Sequence, residues 1–377
     1  MKIDITRIPT DFRGERCYVH ARGVLLPSGF GLITTQKLEL SGCDAFYGIE
    51  MMKSDDGGKS FSSPEKSLGL SRRTRPDGLD EVMCDATPFY HEKTGKIILV
   101  GHLAIYEKDN VQTKTPIRKS TAYAVYDEKK GDFSPFKMIE MPIVNGDIYF
   151  SSGSGCSQIY ECESGEVLIP FYFRSYENTC TNIFHVSSSV MRCSFDGEKI
   201  ELIEVGNTLS TDVPRGLCEP SITKFGDEYF LAIRNDVTGF ITKGRDGIHF
   251  DAPTELCFDD GENLGNYNTQ QHWLTGGGKL WLVYTRRAEN NNHVFRHRAP
   301  LFIAELDPRT MRVTRSTEMI AVPERGARLG NFGCQSYSDE CGYVFASEWM
   351  QGDFGLDGCT NHGSDNSIFV AKVNFSE

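Results

Sequence analysis

Gly278-Lys279-Leu280-Trp281-Leu282-Val283-Tyr284-Thr285-Arg286 joins a small-residue turn, a run of β-forming residues and a charged stop. The same phrase recurs in Gly29 to Gln36, Gly95 to His102, Gly165 to Arg174, Gly226 to Arg234 and Cys341 to Glu348. Successive starts lie roughly 50 to 70 residues apart, a spacing suited to blade-sized repeats. This pattern predicts an all-β fold, a six-bladed β-propeller; seven blades are the alternative if residues 107–153 hold a further sheet. Lys2 to Ile8 reads as an N-terminal strand that closes the last blade against Ser367 to Phe375. No Pro/Ser-rich linker, low-complexity stretch or long charge block divides the chain, so residues 1–377 are expected to form one propeller domain.

A propeller fixes where chemistry can sit. Each blade runs its first strand along the central channel and its second strand back, so the start of the first and the end of the second share a face. The second-strand ends bring Gln36, His102, Arg174, Arg234, Arg286 with Arg287, and Glu348 to that face. The first-strand starts add His20, Arg22, Asp85, Ser154, Glu219 and the run Asn268, Gln270, Gln271, His272. A hydrophobic channel needs none of these residues, so this face is the expected site.

Their chemistry narrows the ligand. Side-chain amides at 268, 270 and 271 donate and accept hydrogen bonds together, as sugar hydroxyls do. Guanidinium groups offer a planar two-donor fork to a carboxylate, which makes an acidic sugar the natural partner of Arg174, Arg234, Arg286 and Arg287. The imidazole of His102 suits proton transfer near neutral pH. Asp85 and Glu219 offer the carboxylate pair that glycoside hydrolysis commonly needs.

The gross numbers set limits. With 39% hydrophobic and 24% charged residues the composition is that of a soluble globular protein, and 37 glycines suit many tight turns. No apolar run approaches the roughly 18 residues of a membrane span. A formal charge of −12 and a pI near 5.3 argue against a nucleic-acid binder, which carries a basic footprint. Against that background, Arg286, Arg287, His293, Arg296, His297 and Arg298 cluster in one stretch, which suggests a small anionic ligand. The 12 cysteines lack metal-type spacing, and several sit in strand-like segments, so reduced thiols and a cytoplasmic location are expected. Removal of a signal peptide would instead make the protein secreted or periplasmic. No cofactor and no metal are expected: His20, His102, His272 and Asp85 share a face, but no HExxH or paired Cys/His pattern supports a metal site.

Ser54-Asp55-Asp56-Gly57-Gly58-Lys59-Ser60-Phe61 fits the Asp-box turn, in which an Asp side chain bonds turn amides. Weaker echoes are Ser194 to Gly197 and Gly244 to Phe250. These boxes, with Glu219-Pro220-Ser221 and Leu231 to Asp236, make the chain resemble the sialidase superfamily of six-bladed propellers. The resemblance implies that Glu219 assists a nucleophile and that Arg234 grips a sugar carboxylate. The chain is also similar to a broad group of sialidase-like bacterial proteins through Asn266 to Trp273, Tyr284 to Arg287 and His293 to Pro300. It departs from true sialidases in reading Tyr18-Val19-His20-Ala21-Arg22 at the start of blade 1, and Asn331-Phe332-Gly333-Cys334 where the family places a nucleophilic Tyr. What carries over is glycan-directed activity.

Three functions follow. The first is an exo-acting glycoside hydrolase for a terminal acidic or polar sugar, with Glu219 and Asp85 as acid/base or nucleophile, the arginines on the anion and Gln270 to His272 on hydroxyls. The second is a polysaccharide lyase that cleaves next to a uronate, with His102, Tyr172 and Arg174 as its machinery. The third is a non-catalytic glycan-binding propeller.

Overall fold

The computed structural model of the protein describes residues 1–40, 44–181 and 183–376. Among these residues six antiparallel sheets succeed one another along the chain. Blade 1 comprises Arg16–Leu25, Gly31–Glu39, Phe46–Ser54 and Glu65–Lys66. Blade 2 is built on Asp80–His91, Lys96–Tyr106 and Ala122–Asp127, and blade 3 on Ser151–Gly153, Val167–Arg174, Ser187–Phe195 and Ile200–Val205. Blade 4 holds Cys218–Phe225, Glu228–Arg234, Phe240–Gly244 and Thr254–Glu255; blade 5 holds His272–Gly276, Lys279–Tyr284, Leu301–Asp307 and short outer strands. Blade 6 consists of Gly333–Ser336, Cys341–Ser347 and Ile368–Asn374, and its outer strand is Lys2–Ile8. That closing pair runs antiparallel, from Lys2 opposite Asn374 to Ile8 opposite Ile368. The fold is a six-bladed β-propeller. Residues 107–153 supply the third strand of blade 2 with its outer pieces and the first strand of blade 3, so no seventh sheet arises.

The second strands are continuous apolar runs because both of their faces are covered. Side chains alternate across a strand: Ile97 and Leu99 pack with Val24 and Ile49 of blade 1, whereas Ile98 and Val100 pack with Ile169 and Phe171 of blade 3. Clusters of this kind join every pair of adjacent blades, and Ala21, Ile33, Phe345 and Val370 join blade 6 to blade 1. Each buried Leu, Ile or Phe contributes about 1.5–3 kcal/mol relative to exposure. Trp273, wholly buried, also ties blade 5 to blade 4 by donating from Nε1 to the Ser221 carbonyl at 2.8 Å.

The two faces of the ring differ in chemistry. At the end of the third strand, Asp56 accepts backbone bonds from Lys59 and Ser60, Asp196 from Glu198 and Lys199, and Asp246 from Ile248 and His249. Asp127 and Asp307 build the same turn in blades 2 and 5, where no motif marks it in the sequence. The opposite face collects first-strand starts and second-strand ends: Cys84 lies opposite His102, Ser151 opposite Arg174 and Cys218 opposite Arg234. Eleven cysteines among the described residues are free. No described helix is long and apolar enough to cross a membrane.

Candidate functional site

One residue within or beside each blade's first strand has a positive φ: His20 (58°), Asp85 (52°), Cys156 (57°), Glu219 (49°), Asn268 (56°) and Asn331 (65°). In blades 1, 2 and 4 this residue sits in a register shift of the first strand against the second. Left-handed backbone costs an L-residue about 1–2 kcal/mol, and such strain clusters where a side chain must be re-aimed. Here the six-fold device surrounds a cavity of about 940 Å³, at the upper end of the range for small-molecule sites. Asp85, Glu219 and Asn331 line it directly.

Asp85 is held by donors on several sides. His20 Nδ1 stands 2.8 Å from Oδ1, Cys156 Sγ and Asn331 Nδ2 each donate to Oδ1 at 3.2 Å, and Arg22 lies at 3.7 Å. Burial alone would raise its pKa, but His20, His102 and Arg22 hold it well below the usual carboxylate range. The other oxygen, Oδ2, lies 3.9 Å from His102 Nε2, and His102 Nδ1 is 3.0 Å from the Tyr172 hydroxyl. Burial lowers the His102 pKa, partly offset by Asp85, while burial, Glu219 and Asp85 push Tyr172 well up. The Tyr172 hydroxyl thus sits within hydrogen-bond reach of one nitrogen of His102, while the other faces Asp85. Gly153 and Gly155 make room for this ring, since a Cβ on Gly155 would collide with His102 Nδ1.

Glu219 completes the wall. Its Oε1 accepts from Arg234 NH1 at 2.5 Å, and its buried Oε2 has no hydrogen-bond partner among the described residues. Asn268 Oδ1 gathers three guanidinium groups, Arg234 at 2.8 Å, Arg298 at 3.1 Å and Arg296 at 3.3 Å. Burial would lower the Arg234 pKa, but Glu219 and Cys218 raise it well above the usual value. Arg298 has no carboxylate among the described residues, and burial with the nearby Arg234 and Arg328 lowers its pKa. Arg174, Arg215 and Arg328 also line the cavity.

Of the residues expected from sequence, Asp85, His102, Tyr172, Arg174, Glu219 and Arg234 line the cavity. Asn268 and His20 stand one layer behind it, against its arginines and Asp85. Others do not reach it. Gln270, Gln271 and His272 are wholly buried in the hub: Gln270 donates to the Phe332 carbonyl, Gln271 to the Thr269 carbonyl, and His272 bridges Ser221 Oγ and the Phe332 carbonyl. His272 is pushed down to about 3 by burial and Arg22. Gln36 is a brace that donates to the carbonyls of Tyr47 and Met83 and accepts from the Asp85 amide. Arg286 is taken by Glu318 through Nε at 2.8 Å and NH2 at 2.6 Å, and exposed Arg287 lies over the Tyr267 ring. Glu348 binds the amides of Asp365 and Ser367. The sequence reasoning missed the site placement of Cys156, Arg215, Arg328 and Asn331. Arg296 and Arg298 were signalled only as part of a basic stretch.

The ligand atoms of Cys84, Asp85 and His102 lie within 4.8 Å of one another, a spacing that could hold a metal ion. The Cys84 thiol is wholly buried, and burial with Asp85 pushes its pKa well up, which opposes the thiolate a metal needs.

No family model and no curated protein matches the chain. Among solved structures it is similar to a protein of unknown function from Dyadobacter fermentans, at 11% identity and a TM-score of 0.68, with 99% of each chain covered. It is also similar to a Hadza microbial sialidase, at 12% identity and a TM-score of 0.64, covering 96% of this chain and 66% of that one. A Trypanosoma rangeli sialidase in complex with the inhibitor DANA gives 13% identity and a TM-score of 0.61, covering 97% of this chain and 57% of that one. The chain thus spans all but the whole of the first and less than two thirds of each sialidase. What these comparisons share with it is the sialidase-like propeller fold.

Proposed function

We propose that this protein is an exo-acting glycoside hydrolase for a terminal acidic sugar of a glycan. The observation that carries the reading is the convergence of Arg234, Arg296 and Arg298 on one amide oxygen beside the unpartnered Oε2 of Glu219. A sugar carboxylate supplies the negative charge that Arg296 and Arg298 lack among the described residues, Arg234 being paired with Glu219 and Asp236.

An anionic sugar repels a carboxylate nucleophile, and this site offers a neutral one. Tyr172 attacks the anomeric carbon as its proton moves to His102 Nδ1, and the ionised Asp85 stabilises the imidazolium. The glycosidic bond breaks with the aglycone oxygen taking up a proton, and water then attacks the anomeric carbon and displaces the tyrosyl oxygen, which takes its proton back from His102. Glu219 Oε2 is left to carry a proton to or from the reacting oxygens. The turns at Asp56, Asp196 and Asp246, read as Asp boxes, and the sialidase-like fold support a glycan-directed role.

The paired His102 and Tyr172 favour one second reading, elimination beside a uronate: in that reaction the neutral imidazole and the phenol supply base and acid. A screen of purified protein against acidic glycosides and uronate oligosaccharides separates the two. Hydrolysis releases reducing ends without new ultraviolet absorbance; elimination yields an absorbing unsaturated uronate. Cleavage of neutral sugars at the same rate as acidic ones would refute the acidic-substrate reading.

A further inference from the structure

Arg174 and Arg215 stand apart from the guanidinium cluster on Asn268. Both lie over one aromatic ring, Phe184, at 4.7 and 4.6 Å from its centroid. All three residues line the cavity, and Phe184 is 51% exposed. Arg174 has no carboxylate partner among the described residues; its NH1 donates only to the Ile183 carbonyl, at 3.4 Å. Arg215 has Asp236 at 3.3 Å, but Asp236 also serves Arg234, at 3.1 Å. Two like charges are thus held together with half a carboxylate between them.

The charge of the whole cavity points the same way. Its lining holds eight Lys or Arg residues and three Asp or Glu residues among those described, in a chain whose net charge is −12. One sugar carboxylate at the Asn268 cluster leaves most of that excess uncompensated. Around the ring, Arg174 and Arg215 meet at the junction of blades 3 and 4, Glu219 and Arg234 follow on blade 4, and Arg296 and Arg298 lie beyond the start of blade 5. Arg174 is two residues past Tyr172 on one strand, so the two share a strand face. Glu219 therefore stands between two cationic groups.

We infer that Arg174, Arg215 and Phe184 form a second anion subsite, which holds a carboxylate or sulfate on the sugar adjoining the one gripped at Arg298. The half-exposed ring fixes the two guanidinium planes and offers an apolar edge to the sugar, while the forks take the oxyanion. The substrate class is then a glycan with negative groups on two neighbouring residues. This inference rests on the proposed acidic-glycan reading for its biological meaning, but the anion site itself can be tested without a substrate.

Inorganic sulfate is titrated calorimetrically into the full chain at low ionic strength, with Arg174→Gln, Arg215→Gln and the control Arg286→Gln alongside, each checked by circular dichroism to be folded at the temperature of the titration. The expected result is loss of one sulfate equivalent, or a tenfold weaker binding step, in Arg174→Gln and Arg215→Gln but not in Arg286→Gln. Sulfate binding identical to wild type in both cavity variants would overturn the subsite; if one of them fails to fold, the other decides. A second arm compares uronate-terminated disaccharides whose second sugar is neutral, carboxylated or sulfated. Arg174→Gln is expected to lower kcat/KM at least tenfold for one or both dianionic probes and less than twofold for the monoanionic one, and the preferred dianion identifies the oxyanion. Equal losses on all three would contradict the second subsite. If no glycan is cleaved, the proposed function fails while the sulfate titration still decides the anion site.

Discussion

Arg234 and Arg286 stand at the same phase of neighbouring blades, where the second strand ends, and their fates differ. Arg234 turns inward, bonds one oxygen of Glu219 and reaches Asn268 on the cavity wall. Arg286 is closed off by both oxygens of Glu318 within its own blade and lies over Phe302. His102 and His272 repeat the contrast: His102 faces the cavity with Tyr172 as its close partner, whereas His272 is pinned on both ring nitrogens inside the hub. Position in the repeat assigns a residue to a face. The partner within its own blade decides whether it remains available to a ligand.

The sharpest way to break this contrast is to remove the inward groups. Tyr172→Phe and Glu219→Gln are expected to lower kcat by about 10³-fold, within the range of lost acid/base or nucleophile function, with the melting temperature of Tyr172→Phe near wild type and that of Glu219→Gln lowered by loss of its buried pair with Arg234. Retained activity in either variant would remove that residue from the chemistry. Next comes Gly155→Ala, whose methyl displaces the His102 ring; a loss of about 10²-fold in kcat is expected from a misplaced base. A crystal structure of this variant with His102 unmoved would contradict the steric account.

Arg298→Gln is expected to weaken binding of acidic substrates by about 30-fold, as loss of a charge-assisted fork does, measured as KM. Arg286→Gln should leave kinetics within twofold and instead lower unfolding free energy in urea by about 1–2 kcal/mol, because Glu318 loses its two-donor partner. Exchanged outcomes for these two arginines would undo the comparison.

The histidines differ in their pH dependence. His272 titrates at about 3 when folded, against an ordinary value of 6.5, so the unfolded chain takes up its proton first as pH falls. Stability is therefore lost between pH 6.5 and 3, by about 1.4 kcal/mol per pH unit from this group, and His272→Gln should flatten that part of a stability profile. His102, also lowered, acts on activity: kcat/KM should hold at neutral pH and fall only as acidification passes below 6.5. An acid limb above 6.5 would assign the limb to another group.

Much of the fold was legible in sequence because blades repeat a turn, an apolar strand and a polar stop, and a closed ring buries both faces of that strand. The closing strand was legible for the same reason, as Lys2 to Ile8 supplies the outer edge that blade 6 lacks. The site was legible only in part. Glu219 lies next to Cys218, the residue that strand register sets opposite Arg234, a proximity that sequence spacing reveals. Gln270, Gln271 and His272 looked equally polar, but the positive-φ step falls at Asn268, so the following residues enter the hub. Cys156 and Asn331 escaped notice because their importance lies in that backbone step and in their shared contact with Asp85, and neither residue type announces it. Arg215 precedes its strand and becomes recognisable only beside Phe184 and Asp236.

The most direct test of the central claim is a cleavage assay on terminal acidic and neutral glycosides with wild type and Tyr172→Phe side by side, read by reducing-end release and ultraviolet absorbance together. The account predicts release from acidic glycosides alone, no unsaturated product, and loss of that release in Tyr172→Phe. Equal cleavage of neutral glycosides, or undiminished release by Tyr172→Phe, would contradict it.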